Sequence, residues 1–409
     1  MWIKLIKRFI QALSQKEKSI KELYQLIKEH GYLSKNELMT YTGITSTTSS
    51  RLINEMIQSQ LIAKSGYGES SGGRKPDLYK INPEIYHLIG IDINRSETRI
   101  LLLDLSLTIK SEANLPMSES TNPEVTINFI ESTVHKMLRE KNMEKEDILG
   151  IGIGTIGPLD QKRGIIVDPS DFPTKDWVNV PIVDELEEKL GIKTLIDYGV
   201  NTAILAEIEN KEFKQFKNIV YIIKGGGTRI SLKMDRYQIQ GSDNFSMFNH
   251  GHMIVDINGR KCNICGNHGC IEAYSSISSI KKEVVLQLQQ GKESMLQHQF
   301  KNNKDITFED IYHAVNQKDP LCSQIIKKAA SITGVGISNI SNLILPELII
   351  LSGPTYTKMD LFYKTAIQSF YNCIKDGSSD HQITFSKGLL GDNAAAIGAA
   401  NMVFNYYLS

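Results

Sequence analysis

One imidazole and three thiols crowd into a short stretch of this chain. His252, Cys262, Cys265 and Cys270 lie within the run GHMIVDINGRKCNICGNHGCIEAY, among glycines that allow tight turns. Together they make a full ligand set for one tetrahedral Zn²⁺. Three of the five cysteines in the chain are here, and at this spacing, with no secretory leader, a metal is favoured over disulfides. A shell closed by four protein ligands leaves no position for an activated water, so zinc bound here is structural. The competing reading is a set of buried cysteines without a metal. Glu272, two residues past the last cysteine, would be held rigidly and aimed at a ligand.

The chain has 409 residues, enough for two or three domains with separate cores. Hydrophobic residues make up 41% and charged residues 22%, the balance of a soluble globular protein. Lys and Arg match Asp and Glu at 46 each, yet residues 1–82 hold 13 basic against 7 acidic side chains. A basic head on an acidic remainder predicts that the head meets a polyanion. No apolar run approaches the ~18 residues of a membrane span. The opening MWIKLIKRFIQALS spaces its apolar residues for an amphipathic helix and lacks the apolar core and cleavage site of a leader. We expect a cytoplasmic protein whose residues 1–16 pack as a helix on their neighbours or on a partner chain, with attachment to a membrane surface as the alternative.

Residues 17–83 carry the pattern of a winged helix-turn-helix. Ile20, Leu23, Leu26 and Ile27 give one helical face, which Gly31 ends. Ser34 and Glu37 stand at capping-box spacing and start a second helix. Gly43 makes the turn, and Thr45 caps a third helix with Leu52, Ile53, Met56 and Ile57 inward. Its other side is Ser46, Thr47, Thr48, Ser50 and Arg51, small hydroxyls and one guanidinium suited to base edges and phosphates in a major groove. Two strand-like runs then flank GYGESSGGRKP, a glycine-rich tip with Arg74 and Lys75 placed like a wing for the minor groove or phosphates. A solvated Ser/Thr-rich helix of a small bundle is the alternative. The hairpin argues against it, and the predicted partner is double-stranded DNA.

Beyond Pro83 the texture is α/β. Buried strands such as LIGIDI, LGIGIGTIGP and ELIILSGP run into glycine loops, alternating with helical stretches at 122–142, 275–290 and 321–343. Strands ending in such loops before helices can cradle phosphates. The expected body is two lobes around a cleft.

The chain resembles the ROK family, and within it the winged-helix repressors of xylose and N-acetylglucosamine type. The markers are SSGGRKPDLYKINP, GIDI, GIGTIGPLD, the GHM…C…CG..GC.E metal motif, PELIILSGP and GDNAAAIGAA, so the likeness covers residues 17–403. It implies a winged helix-turn-helix followed, over 84–409, by a two-lobed, actin-like body of sugar-kinase, ribonuclease H-like type. It further implies one structural zinc on His252, Cys262, Cys265 and Cys270, a sugar effector, and dimers or tetramers. The first two cysteines stand one residue further apart than the family's common spacing, which alters the local turn.

The chain also departs from the kinases of that family. A sugar kinase needs a carboxylate general base, which the family places in an Asn-Asp pair; anchored on Asn201 and Glu207, the pair here reads Tyr198-Gly199. Asp197 lies two positions early. Asn94-Arg95-Ser96-Glu97 fills a loop where phosphate-binding glycines are wanted, and Gly225–Ser231 loses the family's second glycine pair. No catalytic residue is therefore expected. The family's glutamate three residues before the zinc histidine is Asn249 here. Asn249, His252 and Glu272 would hydrogen-bond a sugar, Tyr198 would stack on it, and Asp171 stands where the family often has a contacting Asn.

These readings converge on a carbohydrate-responsive repressor binding a palindromic operator as a dimer, with half-sites roughly 34 Å apart. Sugar binding would shift lobe closure and the spacing of the heads. A kinase with a DNA-binding head and a regulator that docks a protein partner are the alternatives.

Overall fold

The computed structural model describes residues 5–11, 13–69, 75–169, 172–235, 237–239, 250–301, 305–374 and 382–409. The chain divides into two compact units, Met1–Thr202 with Ala396–Ser409, and Ala203–Ala395. The expected Arg74, Asp171 and Asn249 lie outside the described residues.

In the first unit the head forms as its capping residues dictate. Helix Gln15–His30 begins four residues before the apolar face suggests, because Ser14 and Glu17 close a capping box. Ser34 and Glu37 do the same for helix Lys35–Thr42. Gly43, left-handed at φ 69°, turns the chain, and Thr45 caps helix Ser46–Gln58. Leu52, Ile53 and Met56 of that helix are buried, as are Ile20, Leu23 and Ile27 of the first, while Ile57 is only half-buried. Strands Ile62–Tyr67 and Asp77–Ile81 pair antiparallel as the wing, and Leu33–Ser34 adds a third strand.

Among the described residues ahead of Gln15, Leu5–Arg8 is helical, and the next helix starts at Gln15. This segment and the first head helix dock on the end of the chain: Tyr24 packs edge-on between Phe9 and Phe404, and Lys28 donates to Asn405 at 2.8 Å and lies over the Phe404 ring. Gln25 donates to the Leu408 carbonyl.

The rest of the first unit is a five-stranded sheet in the order Thr194–Tyr198, Ile148–Thr155, His87–Ile93, Glu97–Asp104, Ile109–Pro116. The first three strands are parallel, and the last two continue as an antiparallel meander. The second unit repeats this topology. Its sheet runs Tyr237–Ile239, Thr228–Met234, Ile219–Lys224, Leu348–Ser352, Thr384–Ser386, with the same pattern of antiparallel and parallel pairs. Helices Pro320–Ile344 and Asp360–Cys373 pack over it around Ile326, Ala330, Phe362 and Phe370.

The glycines of GIDI and GIGIG have a packing role. A Cβ on Gly90 would stand 1.9 Å from the Ala396 carbonyl oxygen, and one on Gly152 1.8 Å from that of Ala399. Helix Ala394–Leu408 thus lies directly on the parallel strands, and its small side chains make the approach close. Among the described residues no helix is long and apolar enough to cross a membrane.

Candidate functional site

Three groups of residues carry chemistry, one in the head and one in each body unit.

In the head, Ser46, Thr47 and Arg51 are exposed, Thr48 and Ser50 half-exposed, and Ser49, which points inward, is fully buried. Lys35, at the start of the preceding helix, reaches over to donate to Ser46 Oγ at 3.2 Å and Ser50 Oγ at 3.3 Å. A pocket of about 350 Å³ joins this face to the wing, lined by Lys35, Ser50, Asn54, Lys75, Asp77 and Tyr79 among others. Asp77 is neutralised by Lys64 at 2.7 Å, which leaves Lys35 and Lys75 as the charges of the pocket lining among the described residues. Lys35 and Asn54 had no distinguishing pattern in sequence. Only the crossing of the two helices brings them beside the hydroxyl face.

In the first body unit, the end of strand Thr194–Tyr198 holds the family's base region. Asp197 is buried, and its Oδ1 accepts from Asn201 Nδ2 at 2.9 Å, the Tyr198 N–H at 2.6 Å and Gln161. Burial pushes this carboxyl up to about 6 despite those three donors. Tyr198 is also buried: its hydroxyl accepts the Leu159 N–H at 3.3 Å, and its ring stands against Gly157. Gly199 faces Asp92 and has no side chain to offer. The turn after Asp92 is closed by its own residues, since Asn94 donates to Asp92 Oδ2 at 2.7 Å and accepts from the N–H groups of Ser96 and Glu97. Those N–H groups are already used within the turn and do not point outward as in a phosphate cradle.

In the second unit, the ligand atoms of His252, Cys262, Cys265 and Cys270 all lie within 4.8 Å of one another. His252 Nδ1 is 3.9 Å from Cys262 Sγ and 3.8 Å from Cys270 Sγ, and Cys265 Sγ is 4.0 Å from Cys270 Sγ. A tetrahedral zinc with bonds of about 2.0–2.3 Å has edges of about 3.5–3.8 Å, so the donor set fits a single metal ion. The loop is held by backbone bonds, Cys262 N–H to Asn267 O at 2.7 Å and Gly269 N–H to Arg260 O at 2.8 Å. Gly269 is obligatory, because at φ 71° any Cβ would fall 1.5 Å from the Asp256 carbonyl oxygen.

Glu272 follows at the start of the short helix Glu272–Ser275 and is buried against Gly251. Its neighbour is Lys224, the last residue of strand Ile219–Lys224 and wholly buried, with Nζ 3.9 Å from Glu272 Oε1. Lys224 donates to Thr228 and Ser275 at 2.9 Å each. Burial lowers the Lys224 pKa, and Glu272 opposes the shift. Neither Glu272 oxygen has a hydrogen-bond partner among the described residues, nor has either ring nitrogen of buried His250, whose pKa burial drives down to about 3. Lys224 was missed from sequence. The only signal was a lysine closing the apolar run IVYII before GGG, which reads equally well as a solvated strand end.

The ROK family model matches residues 88–405. The xylose repressor of Bacillus subtilis (strain 168) is 25% identical over 402 residues, covering 98% of this chain and 97% of its own. The DNA-binding transcriptional dual regulator NagC of Escherichia coli (strain K12) is 23% identical, covering 86% and 83%. Among solved structures, a ROK family transcriptional regulator homologous to the E. coli MLC protein superposes with TM-score 0.77 at 20% identity, over 95% of this chain and 96% of its own. A ROK glucokinase from Streptomyces griseus, solved with glucose and AMPPNP, gives TM-score 0.63 at 21% identity over 77% of this chain and 98% of its own.

Proposed function

The chain belongs to the ROK family, and from that premise we propose that it is a sugar-responsive, DNA-binding transcriptional repressor without kinase activity. The observation that carries the reading is the head. A helix-turn-helix presents Ser46, Thr47, Thr48, Ser50 and Arg51 on one face, with Lys35 and Lys75 across a shared pocket. Hydroxyls and the guanidinium read base edges and phosphates, while the lysines and Arg74 of the wing hold the backbone. Two copies in a dimer, or four in a tetramer, would engage a palindromic operator.

Zinc on His252, Cys262, Cys265 and Cys270 would cross-link the loop 252–270. Its chemistry is structural, because the four protein donors close the shell. With Nδ1 of His252 in the metal cluster, its Nε2 is the atom proposed for effector contact. In the second unit Glu272 joins it, with Asn249. Among the described residues neither Glu272 oxygen has a hydrogen-bond donor, a demand that polyol hydroxyls meet. In the first unit Tyr198 and Asp171 are the proposed contacts.

The absence of kinase activity is supported by chemistry in the first unit. Gly199 cannot take a proton, Asp197 is tied up by three donors, and the turn at 94–97 spends its N–H groups internally. The test is a fluorescence-anisotropy titration of the purified protein with DNA from upstream of its own gene, across a sugar panel, beside an ATP-consumption assay. Specific DNA binding modulated by one sugar, with no ATP turnover, is the expected result. Sugar-dependent ATP turnover would overturn it.

A further inference from the structure

A second pocket, in the second unit, has none of the proposed effector residues in its lining. It measures about 240 Å³ and is walled by Arg260 and Tyr274 of the loop region, Glu283 of helix Ile277–Gln289, Lys292 just beyond it, and Leu321 and Lys328 of helix Pro320–Ile344. That size lies just under the roughly 300–1,000 Å³ of drug-sized ligand sites, which suits a small metabolite and not a nucleotide.

Its charges are unbalanced. Among the described residues three cations line it against one carboxylate, and that carboxylate, Glu283, is taken by Arg260 at 2.9 Å. Arg260 and Lys328 both crowd one ring, with the guanidinium carbon 5.2 Å and the ammonium 5.8 Å from the Tyr274 centroid. Cation–π attraction holds each cation there, and among the described residues neither Lys328 nor Lys292 has an acidic partner. A dianion in the pocket would supply the missing countercharge. Arg260, fixed by Glu283 and Tyr274, supplies the planar donor fork that phosphate oxygens accept. The exposed amide of Gln324 lines the same wall.

We propose that this pocket binds a small phosphate monoester, a second ligand site separate from that for the sugar effector. The site is wired to the metal loop through Tyr274. The buried Tyr274 hydroxyl donates to Asp256 at 2.7 Å and accepts the Arg260 N–H at 3.1 Å, and its ring packs on Cys262 and Cys270. Tyr274 also belongs to the four-residue helix that begins at Glu272. An anion drawn in by Arg260 and Lys328 therefore bears on the segment that positions Glu272.

The test is isothermal titration of the full-length, zinc-loaded protein with inorganic phosphate, ribose 5-phosphate and ribose. Lys292→Gln combined with Lys328→Gln changes two exposed side chains, so the fold and operator affinity should be unaffected. The wild type should bind both phosphates and not ribose. The double variant should bind them at least about tenfold more weakly, the scale of losing two charge-assisted contacts. Lys328→Arg should retain binding. No heat with either phosphate, or equal affinity in the double variant, would overturn the proposal. Retained operator binding in the same samples separates that failure from one of the repressor reading.

Discussion

Replacing Asp197 by Asn should make the protein more stable at neutral pH. The carboxyl is buried and titrates at about 6 in place of 3.8, so in the folded state it holds its proton at a higher pH than in the unfolded chain. The sign is then settled by linkage: stability falls as pH rises between those values, and above pH 6 the full cost of burying the charge is present. At about 1.4 kcal/mol per pH unit, that cost is about 3 kcal/mol at pH 7.5 and about 1 kcal/mol at pH 4.5. Asparagine keeps an oxygen to accept from Asn201, Tyr198 and Gln161 and removes the charge. Urea denaturation of Asp197→Asn against wild type should show a gain of about 1–3 kcal/mol at pH 7.5 that shrinks by about two-thirds at pH 4.5. Comparing the two proteins at each pH cancels the other carboxylates. A loss of stability at pH 7.5, or a gain independent of pH, would refute the reasoning.

Other outcomes follow from the same geometry. Lys35→Ala with Lys75→Ala should weaken binding to all DNA sequences alike and lower the slope of log K against log salt by about 1.8, two phosphates at about 0.9 each; an unchanged slope in anisotropy titrations would contradict the interface. Metal analysis should find one zinc per chain, and Cys265→Ser should lower both zinc content and melting temperature; full stability without zinc would dismiss the cluster as buried thiols. Gly152→Ala places a methyl 1.8 Å from the Ala399 carbonyl oxygen and should cost at least about 2 kcal/mol in denaturant titration, whereas no loss would mean that the helix is not seated on the sheet.

Much of this molecule is legible in its sequence because the relevant physics is local. The Ser34–Glu37 capping box, the left-handed Gly43 and the hairpin around residues 67–77 depend on neighbours only a few positions apart. The metal cluster is legible for the same reason, since its four donors lie within one loop. Long-range packing was harder to read. Gly90 and Gly152 read only as members of buried apolar strands, but the need for glycine there comes from a helix some 250–300 residues later that presses carbonyls onto them. The docking of Tyr24 and Lys28 on Phe404 and Asn405 joins opposite ends of the chain and left no local pattern. Lys224 is the sharpest case. A lysine at a strand end is ordinarily solvated, and only tertiary structure buries it beside Glu272.

The central claim is that the head reads DNA and the body reports a sugar to it. The most direct measurement is the affinity of the zinc-loaded, full-length protein for its own upstream DNA, titrated by anisotropy at fixed salt with and without each member of a sugar panel. The account predicts binding at least about a thousandfold tighter than to random-sequence DNA, and a shift of at least about fivefold with one sugar. Equal affinity for both DNAs, or an operator affinity that no sugar changes, would contradict it.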